Sequence, residues 1–392
     1  MASIALPRLI RLGAGALGET PALLAALGLS RPLIVTDPFL ARSGGLSRLQ
    51  DLLGEAGVGA PAFTEVVPDP TVASVMAATA MIVAGDFDCI IGFGGGSPID
   101  TAKAAAVLSQ TGGAMQALKV PHVQDAPGLP IIAIPTTAGT GSEATRFTII
   151  TDEASGEKML CAGLSYLPMG AIVDYELTLS KPARLTADTG VDALTHAIEA
   201  YVSRRANPFS DSMAISAMTL IWAHLRTAYA EPGHHAAREA MMLGAHQAGI
   251  AFSNASVALV HGMSRPIGAH FHVAHGLSNA MLLPAITRFS LPGALTRYAD
   301  CARAMGIATE TEEDQAAAAR LCEALETLNR DLAVPTPQSY GIDPARWEAL
   351  LPLMAEQALA SGSPANNPRV PDAAEIVALY RAVWDREVGA GG

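Results

Sequence analysis

The stretch Cys89-Ile90-Ile91-Gly92-Phe93-Gly94-Gly95-Gly96-Ser97-Pro98-Ile99-Asp100 decides how the first half of this chain folds. The apolar run 89–93 reads as a buried strand, three glycines break it, and a helical pattern follows over 97–108. Ser97 suits an N-cap and Pro98 the first helical turn. Glycines at 94, 95 and 96 let backbone N–H groups come close to a pyrophosphate, with the positive end of a helix behind them. A tight turn with no ligand is the plainer reading of the same residues.

Working outward, Leu33-Ile34-Val35-Thr36 and Ile131-Ile132-Ala133-Ile134 read as further strands, and 46–53 and 71–84 as helices. Strands alternating with helices imply parallel βαβ units. The expected fold is therefore an α/β nucleotide-binding domain with a parallel sheet over 1–177. Beyond it the strand signals stop. Ala-, Leu- and Met-rich segments at 186–202, 210–228, 236–252, 312–331 and 371–385 carry helical spacing, so 178–392 is expected to be an all-α domain. Leu177 to Arg184, with Ser180 and Pro182, reads as the hinge, and a cleft between two such domains is where a site is expected.

The totals agree with two domains. The chain has 392 residues, half of them hydrophobic and 16% charged, which excludes a disordered protein. No uncharged apolar run approaches the about 18 residues a membrane span needs. Lys and Arg number 25 against 37 Asp and Glu, a formal charge of −12 that would repel nucleic acid. A nucleotide cofactor is still compatible, because amides and helix ends can hold it. Cys89, Cys161, Cys301 and Cys322 form no CxxC pair and read as buried apolar residues in a reducing, cytoplasmic compartment.

In α/β sheets ligands bind outside the carboxyl ends of strands, so the polar turns there matter most. Asp37 ends the 33–36 strand, where its carboxylate could accept hydrogen bonds from an adenosine ribose and repel a 2′-phosphate, favouring NAD over NADP; the competing reading is a helix-capping aspartate. Pro135-Thr136-Thr137-Ala138-Gly139-Thr140-Gly141-Ser142-Glu143 either wraps a ribose or nicotinamide or forms a capped turn. Gly13-Ala14-Gly15-Ala16-Leu17-Gly18 matches GxGxxG but lacks a clean strand–turn–helix setting, and reads as a structural turn.

The second half holds a metal pattern. Asp192 and His196 are four apart, on one face of a helix. His261 in Val260-His261-Gly262 and His275 in His275-Gly276-Leu277 sit in similar settings, although spacing alone does not choose them over His270 and His272. His122, His234, His235 and His246 look like loop or surface residues. A carboxylate with three imidazoles suits iron or zinc and leaves a position open for substrate.

Taken together, GGGSPIDTAK (94–103), IPTTAGTGSE (134–143), TGVDALTHAIEAY (189–201), VHGMSRPIGA (260–269), HGLSNAMLLP (275–284) and NPR (367–369) resemble the iron-containing alcohol dehydrogenases. The resemblance spans nearly the whole chain. It implies a dehydroquinate-synthase-like architecture: an NAD-binding domain followed by a helical, metal-binding catalytic domain, in a homodimer or larger homo-oligomer. By match to the family, Asp192, His196, His261 and His275 are the metal ligands, ferrous iron first and zinc second. Gly94, Gly95, Gly96, Ser97 and Asp100 form the cradle, with Thr136, Thr137 and Lys158 beside the cofactor, Asp37 the acid of NAD preference, Leu177 beside the adenine and Phe252 a pocket aromatic.

Four positions depart from the family pattern. Arg265 stands where a proton-exchanging histidine is common; arginine cannot act as an ordinary general acid but can hold a carboxylate, sulfonate or phosphate. Asp69 replaces an asparagine, Phe147 a pocket asparagine of some relatives, and Ala274 a proline. The expected reaction is interconversion of a small alcohol and its aldehyde or ketone, with His272 or His270 as proton helpers and an anionic substrate favoured by Arg265. Rival readings are a glycerol or glycerol-1-phosphate dehydrogenase, a dehydroquinate-synthase-like lyase, a maleylacetate reductase, and a non-catalytic NAD-binding module.

Overall fold

A computed structural model describes residues 2–385. The chain divides into two units, Ser3–Ser180 and a second from Lys181 onward.

In chain order, the first unit contains β1 (Leu9–Leu12), α1 (Thr20–Leu27), β2 (Pro32–Thr36), α2 (Pro38–Arg42), α3 (Gly45–Glu55), β3 (Ala62–Phe63), α4 (Val72–Ala84), β4 (Cys89–Gly94), α5 (Gly96–Thr111), β5 (Ile131–Pro135), β6 (Phe147–Asp152), β7 (Glu157–Ala162) and β8 (Gly170–Val173). Six strands form one parallel sheet in the order β1-β8-β5-β4-β2-β3. β2, β4 and β5 are buried along their whole length, as strands covered on both faces must be. Alternate residues feed two cores. Leu33, Val35, Ile90 and Ile131 pack with α4 and α5, whereas Ile34, Ile91, Phe93 and Ile132 pack with α1 and α3.

From β2 the chain runs outward to β3, then returns to place β4 on the other side of β2. That reversal makes the carboxyl ends of β2 and β4 the switch point where such sheets bind ligands. Asp37 follows one strand and Gly94–Gly96 the other. The Gly13–Gly18 turn lies elsewhere, after the edge strand β1. There Gly13 N–H donates to the Val173 carbonyl and Leu17 N–H to Asp174 Oδ2, as a structural turn requires.

β6 and β7 form an antiparallel hairpin. The strand pattern had not marked it, because its burial alternates and no long apolar run is needed.

The second unit is helical among its described residues: α6 (Ala183–Val202), α7 (Pro208–Ala230), α8 (His235–Asn254), α9 (Leu259–Phe271), α10 (His275–Ser290), α11 (Leu295–Ala304), α12 (Asp314–Asp331), α13 (Pro337–Tyr340), α14 (Pro344–Ala360) and α15 (Ala373–Ala382). α6 is its axis, packed by α7, α8 and α10, and every residue from Gly190 to Val202 is buried. α8 packs on the same bundle, which buries His246 at 3% exposure and corrects the expectation of a surface residue. No described helix is long and apolar enough to cross a membrane, and all four cysteines are buried with no disulfide among them.

Candidate functional site

The cradle after β4 is built by close approach. Gly94 has φ 152°, and a Cβ there would lie 2.4 Å from Pro98 Cγ and 3.3 Å from Asp37 Oδ2. A Cβ on Gly96 would meet Thr140 Cγ2 at 2.9 Å, so the 136–143 turn packs directly on the glycines. Thr136 N–H donates to the Gly94 carbonyl at 2.8 Å, and Thr137 lies beside Gly95. Helix α5 begins at Gly96 with Gly95 as N-cap and no side-chain cap. Ser97 is thus inside the first turn rather than the N-cap, because the glycine backbone already turns the chain. The uncapped amides of that turn, in a cradle shaped by missing side chains, fit a pyrophosphate.

Asp37 caps a helix, the plainer of its two sequence readings. Oδ1 accepts from Leu40 N–H at 2.9 Å and caps α2, while Oδ2 points toward Gly94. Leu177 packs against the core on the α1–α3 side of the sheet. Asp100 is less available than expected: its carboxylate accepts from Ser142 Oγ at 2.7 Å and from Ile149 N–H at 2.9 Å, tying α5 to β6. One turn on, Lys103 is completely buried and donates to the Thr145 and Phe147 carbonyls, each at 2.9 Å. Burial pushes the Lys103 ammonium down to about 8, against the opposing pull of Asp100 and Glu143. Lys158 Nζ pairs with Asp69 Oδ1 at 2.7 Å, so one departure from the family pattern holds a predicted cofactor-side residue. Asp69 itself has φ 49°, a left-handed backbone that Asp and Asn both tolerate.

In the second unit three helices converge. α6 carries Asp192, His196 and Glu199 on one stripe; α9 carries His261 and, one turn later, Arg265; α10 begins at His275 and carries Asn279 one turn on. Gly276 makes the α10 approach possible, since a Cβ there would lie 2.2 Å from the Asp188 carbonyl of α6. Ala274 caps α10 at φ −55°, the backbone angle a proline would impose.

Asp192 Oδ1 lies 3.5 Å from His261 Nε2, 3.6 Å from His275 Nε2 and 4.0 Å from His196 Nε2. A tetrahedral ion with bonds of about 2.1 Å has ligand–ligand edges of about 3.4 Å. Asp192, His261 and His275 offer donor atoms all within 4.8 Å of one another. His196 flanks this trio, its ring stacked on His261 at 4.4 Å and on Phe252 at 4.2 Å. The donor set and its spacing fit a divalent transition metal.

Two residues that the sequence reading passed over shape the centre. Glu199 accepts from Ala258 N–H at 2.8 Å, Val260 N–H at 2.6 Å and His261 Nδ1 at 2.6 Å. That last bond places the His261 proton on Nδ1 and leaves the Nε2 lone pair for a metal. Asn279 Nδ2 approaches Asp192 Oδ1 at 2.6 Å. Their spacings, seven residues after Asp192 and four after His275, were the available signals. Burial opposes charge on Asp192, yet His196, His275 and His261 outweigh it and hold the carboxyl far below the usual carboxylate range. His272 is exposed at the left-handed end of α9, and His270 Nε2 is bonded to Gln357 Oε1 at 2.8 Å.

Family comparison decides what kind of protein carries this centre. The model described as iron-containing alcohol dehydrogenase matches residues 7–175, and that of the Fe-containing alcohol dehydrogenase family, C-terminal, matches 186–384. The chain belongs to the iron-containing alcohol dehydrogenase family. It is 36% identical to lactaldehyde reductase of Escherichia coli (strain K12), over 95% of this chain and 97% of that one. The crystal structure of a 1,3-propanediol oxidoreductase superposes with a TM-score of 0.93 at 34% identity, covering 98% of this chain and all of the other. That of sulfoacetaldehyde reductase from Bifidobacterium kashiwanohense in complex with NAD+ gives 0.87 at 28% identity, covering 99% and 100%. As an alcohol dehydrogenase of the iron-containing type, this protein is an oxidoreductase using NAD(H) and a divalent metal, iron foremost, rather than a lyase or a non-catalytic module.

Proposed function

We propose that this alcohol dehydrogenase interconverts a small anionic alcohol and its aldehyde with NAD(H), its metal held by Asp192, His196, His261 and His275. The observation that carries the reading is the gathering of Asp192, His261 and His275 donor atoms within 4.8 Å of one another, with both imidazole nitrogens 3.5–3.6 Å from the Asp192 carboxylate. A bound divalent ion supplies Lewis acidity, lowering the pKa of an alcohol and polarising a carbonyl. Glu199 keeps His261 in its ligating tautomer. Gly94, Gly95, Gly96 and Ser97 receive the pyrophosphate, Asp37 Oδ2 the adenosine ribose, and Leu177 the adenine. Thr136, Thr137 and the Asp69-held Lys158 line the nicotinamide half, while Asp100 acts through α5 by positioning it. Bound NAD would supply the hydride acceptor for the carbinol carbon, and the hydroxyl proton would leave to solvent. Exposed His272 is the nearer candidate for that exit, because His270 is engaged by Gln357.

Arg265 supports the anionic substrate. A divalent ion would be balanced by Asp192 and Glu199, leaving the buried guanidinium uncompensated. Its Nη1 donates to the neutral hydroxyl of Ser363 at 3.1 Å, and its Nε has no acceptor among the described residues. The structurally similar sulfoacetaldehyde reductase is named for a sulfonated aldehyde. The remaining parts of the proposal are a cytoplasmic location, consistent with four reduced thiols, and a homodimer or larger homo-oligomer.

The test is metal analysis of the purified protein combined with NADH formation across neutral, carboxylated and sulfonated substrates. Divalent metal is expected, and His261→Ala should lose metal and turnover together. Full activity in protein stripped of metal would end the proposal.

A further inference from the structure

Arg265 and Ser363 lie 98 positions apart in the chain, yet Arg265 Nη1 donates to Ser363 Oγ at 3.1 Å. The two residues are only 7% and 4% exposed. Contacts on either side hold Ser363 there. A Cβ on Gly262 would lie 2.8 Å from Pro364 Cγ, so the chain after Ser363 packs directly on α9. Asn366 Nδ2 donates to Ser256 Oγ at 2.8 Å, just ahead of α9, and Tyr380 Oη on α15 donates to the Met263 carbonyl at 2.7 Å. Packing thus fixes the serine beside the guanidinium.

What the pair leaves over is donors. Arg265 Nε is buried with no hydrogen-bond partner among the described residues. Ser363 Oγ accepts from Nη1, so its own hydrogen points away from the guanidinium, and it finds no acceptor among the described residues. Burial opposes the charge on Arg265 and the Glu199 carboxylate supports it from a distance, but the Glu199 oxygens are engaged by Ala258 N–H, Val260 N–H and His261. A buried donor without an acceptor is costly and uncommon. Two on adjoining side chains, one of them charged, point to an acceptor that arrives with a ligand.

We infer that Ser363 is a second substrate-binding residue: its hydroxyl hydrogen and the Arg265 guanidinium together grip an oxyanion with two equivalent oxygens, a carboxylate or sulfonate at the far end of the alcohol. This rests on the anionic-substrate reading above and adds a directional donor from the segment between α14 and α15. One oxygen takes the guanidinium hydrogen and the other the serine hydrogen, both as charge-assisted bonds. A neutral alcohol offers no charge at that end and gains much less from either donor. Ser363 therefore sharpens selectivity for the anion.

The experiment measures NADH formation by the full-length, metal-loaded protein with three alcohols of matched length, ending in a carboxylate, a sulfonate or a methyl group. Relative to the neutral alcohol, Ser363→Ala should lower kcat/KM for both anions about tenfold or more, the ratio that one lost hydrogen bond to a charged group gives. Ser363→Cys, similar in size but a weak donor, should fall between the two and serves if the alanine variant does not fold. The Arg265→His background separates contact from support. A hydroxyl that touches the anion still matters there, so adding Ser363→Ala should cost the anions a further several-fold. No further loss in the double variant means that Ser363 merely steadies Arg265, and overturns the inference. Equal losses on anionic and neutral alcohols overturn it too. Indifference of Arg265→His itself to substrate charge would instead remove the anionic-substrate reading, and the inference with it.

Discussion

Glu199 is engaged at three points: two backbone N–H groups at the start of α9 and the Nδ1 proton of His261. Glu199→Gln keeps the size but removes an acceptor, so a buried donor is left unpaired and the imidazole is freed to choose its tautomer. Metal affinity should fall about 10–100-fold, the usual cost of losing such an orienting carboxylate; chelator competition measures it, and unchanged affinity would refute the role. At Asp37, substitution by Ala should lower the NAD-over-NADP ratio in kcat/KM about tenfold or more, as ribose hydrogen bonds are lost and 2′-phosphate repulsion is relieved. It should also cost about 1 kcal/mol through the lost α2 cap. A constant ratio with lowered stability would leave Asp37 as a cap alone. Arg265→His should lower kcat/KM for anionic substrates about 10–100-fold while sparing neutral ones, the span of a charge-assisted hydrogen bond. Indifference to substrate charge would remove the anion clamp.

Among the elements, α5 and α10 show what sequence patterns convey and what they omit. The α5 reading was legible because glycines, a helix-starting proline and a buried strand are all local signals. Its inward face was not: Lys103 sits among alanines, and only packing shows it donating to β6 and the turn before it. Its pKa of about 8, below the ordinary 10.5, means the unfolded chain binds a proton that the folded chain has shed across that interval. Stability contributed by this site should therefore rise with pH from about 8 upward and be lowest below it. Urea midpoints at pH 7 and 10 test this, since Lys103→Met should abolish that share of the rise; equal slopes in both proteins would contradict it. In α10, the His275-Gly276 pair was visible as a motif, whereas the reason for the glycine is the Asp188 carbonyl of α6. Ser97 was misjudged as a cap for the complementary reason: a serine before a proline is a good local signal, but three preceding glycines moved the helix start to Gly96.

For the whole molecule, the division of labour predicts where each ligand protects the chain. NAD should slow amide exchange around 94–100 and 136–143, whereas zinc or iron should do so around 192–199, 259–265 and 275–279. Exchange mass spectrometry with each ligand alone reads this out, and protection of the second set by NAD without metal would contradict the assignment. The parallel sheet, the helical second half and the ligand-type residues were legible in the amino-acid order because apolar runs and i, i+4 spacings are properties of neighbouring residues. The chain order of strands, which puts Asp37 and Gly94 at one switch point, was not local and emerged only on folding. Nor could spacing choose His261 and His275 from among the seven histidines from 234 to 275. What chose them was the crossing of α6, α9 and α10, which brings residues up to 83 positions apart, Asp192 and His275, to 3.6 Å. Side chains that support such a centre, Glu199 and Asn279 here, have their purpose set by partners distant in the chain, and only packing reveals it.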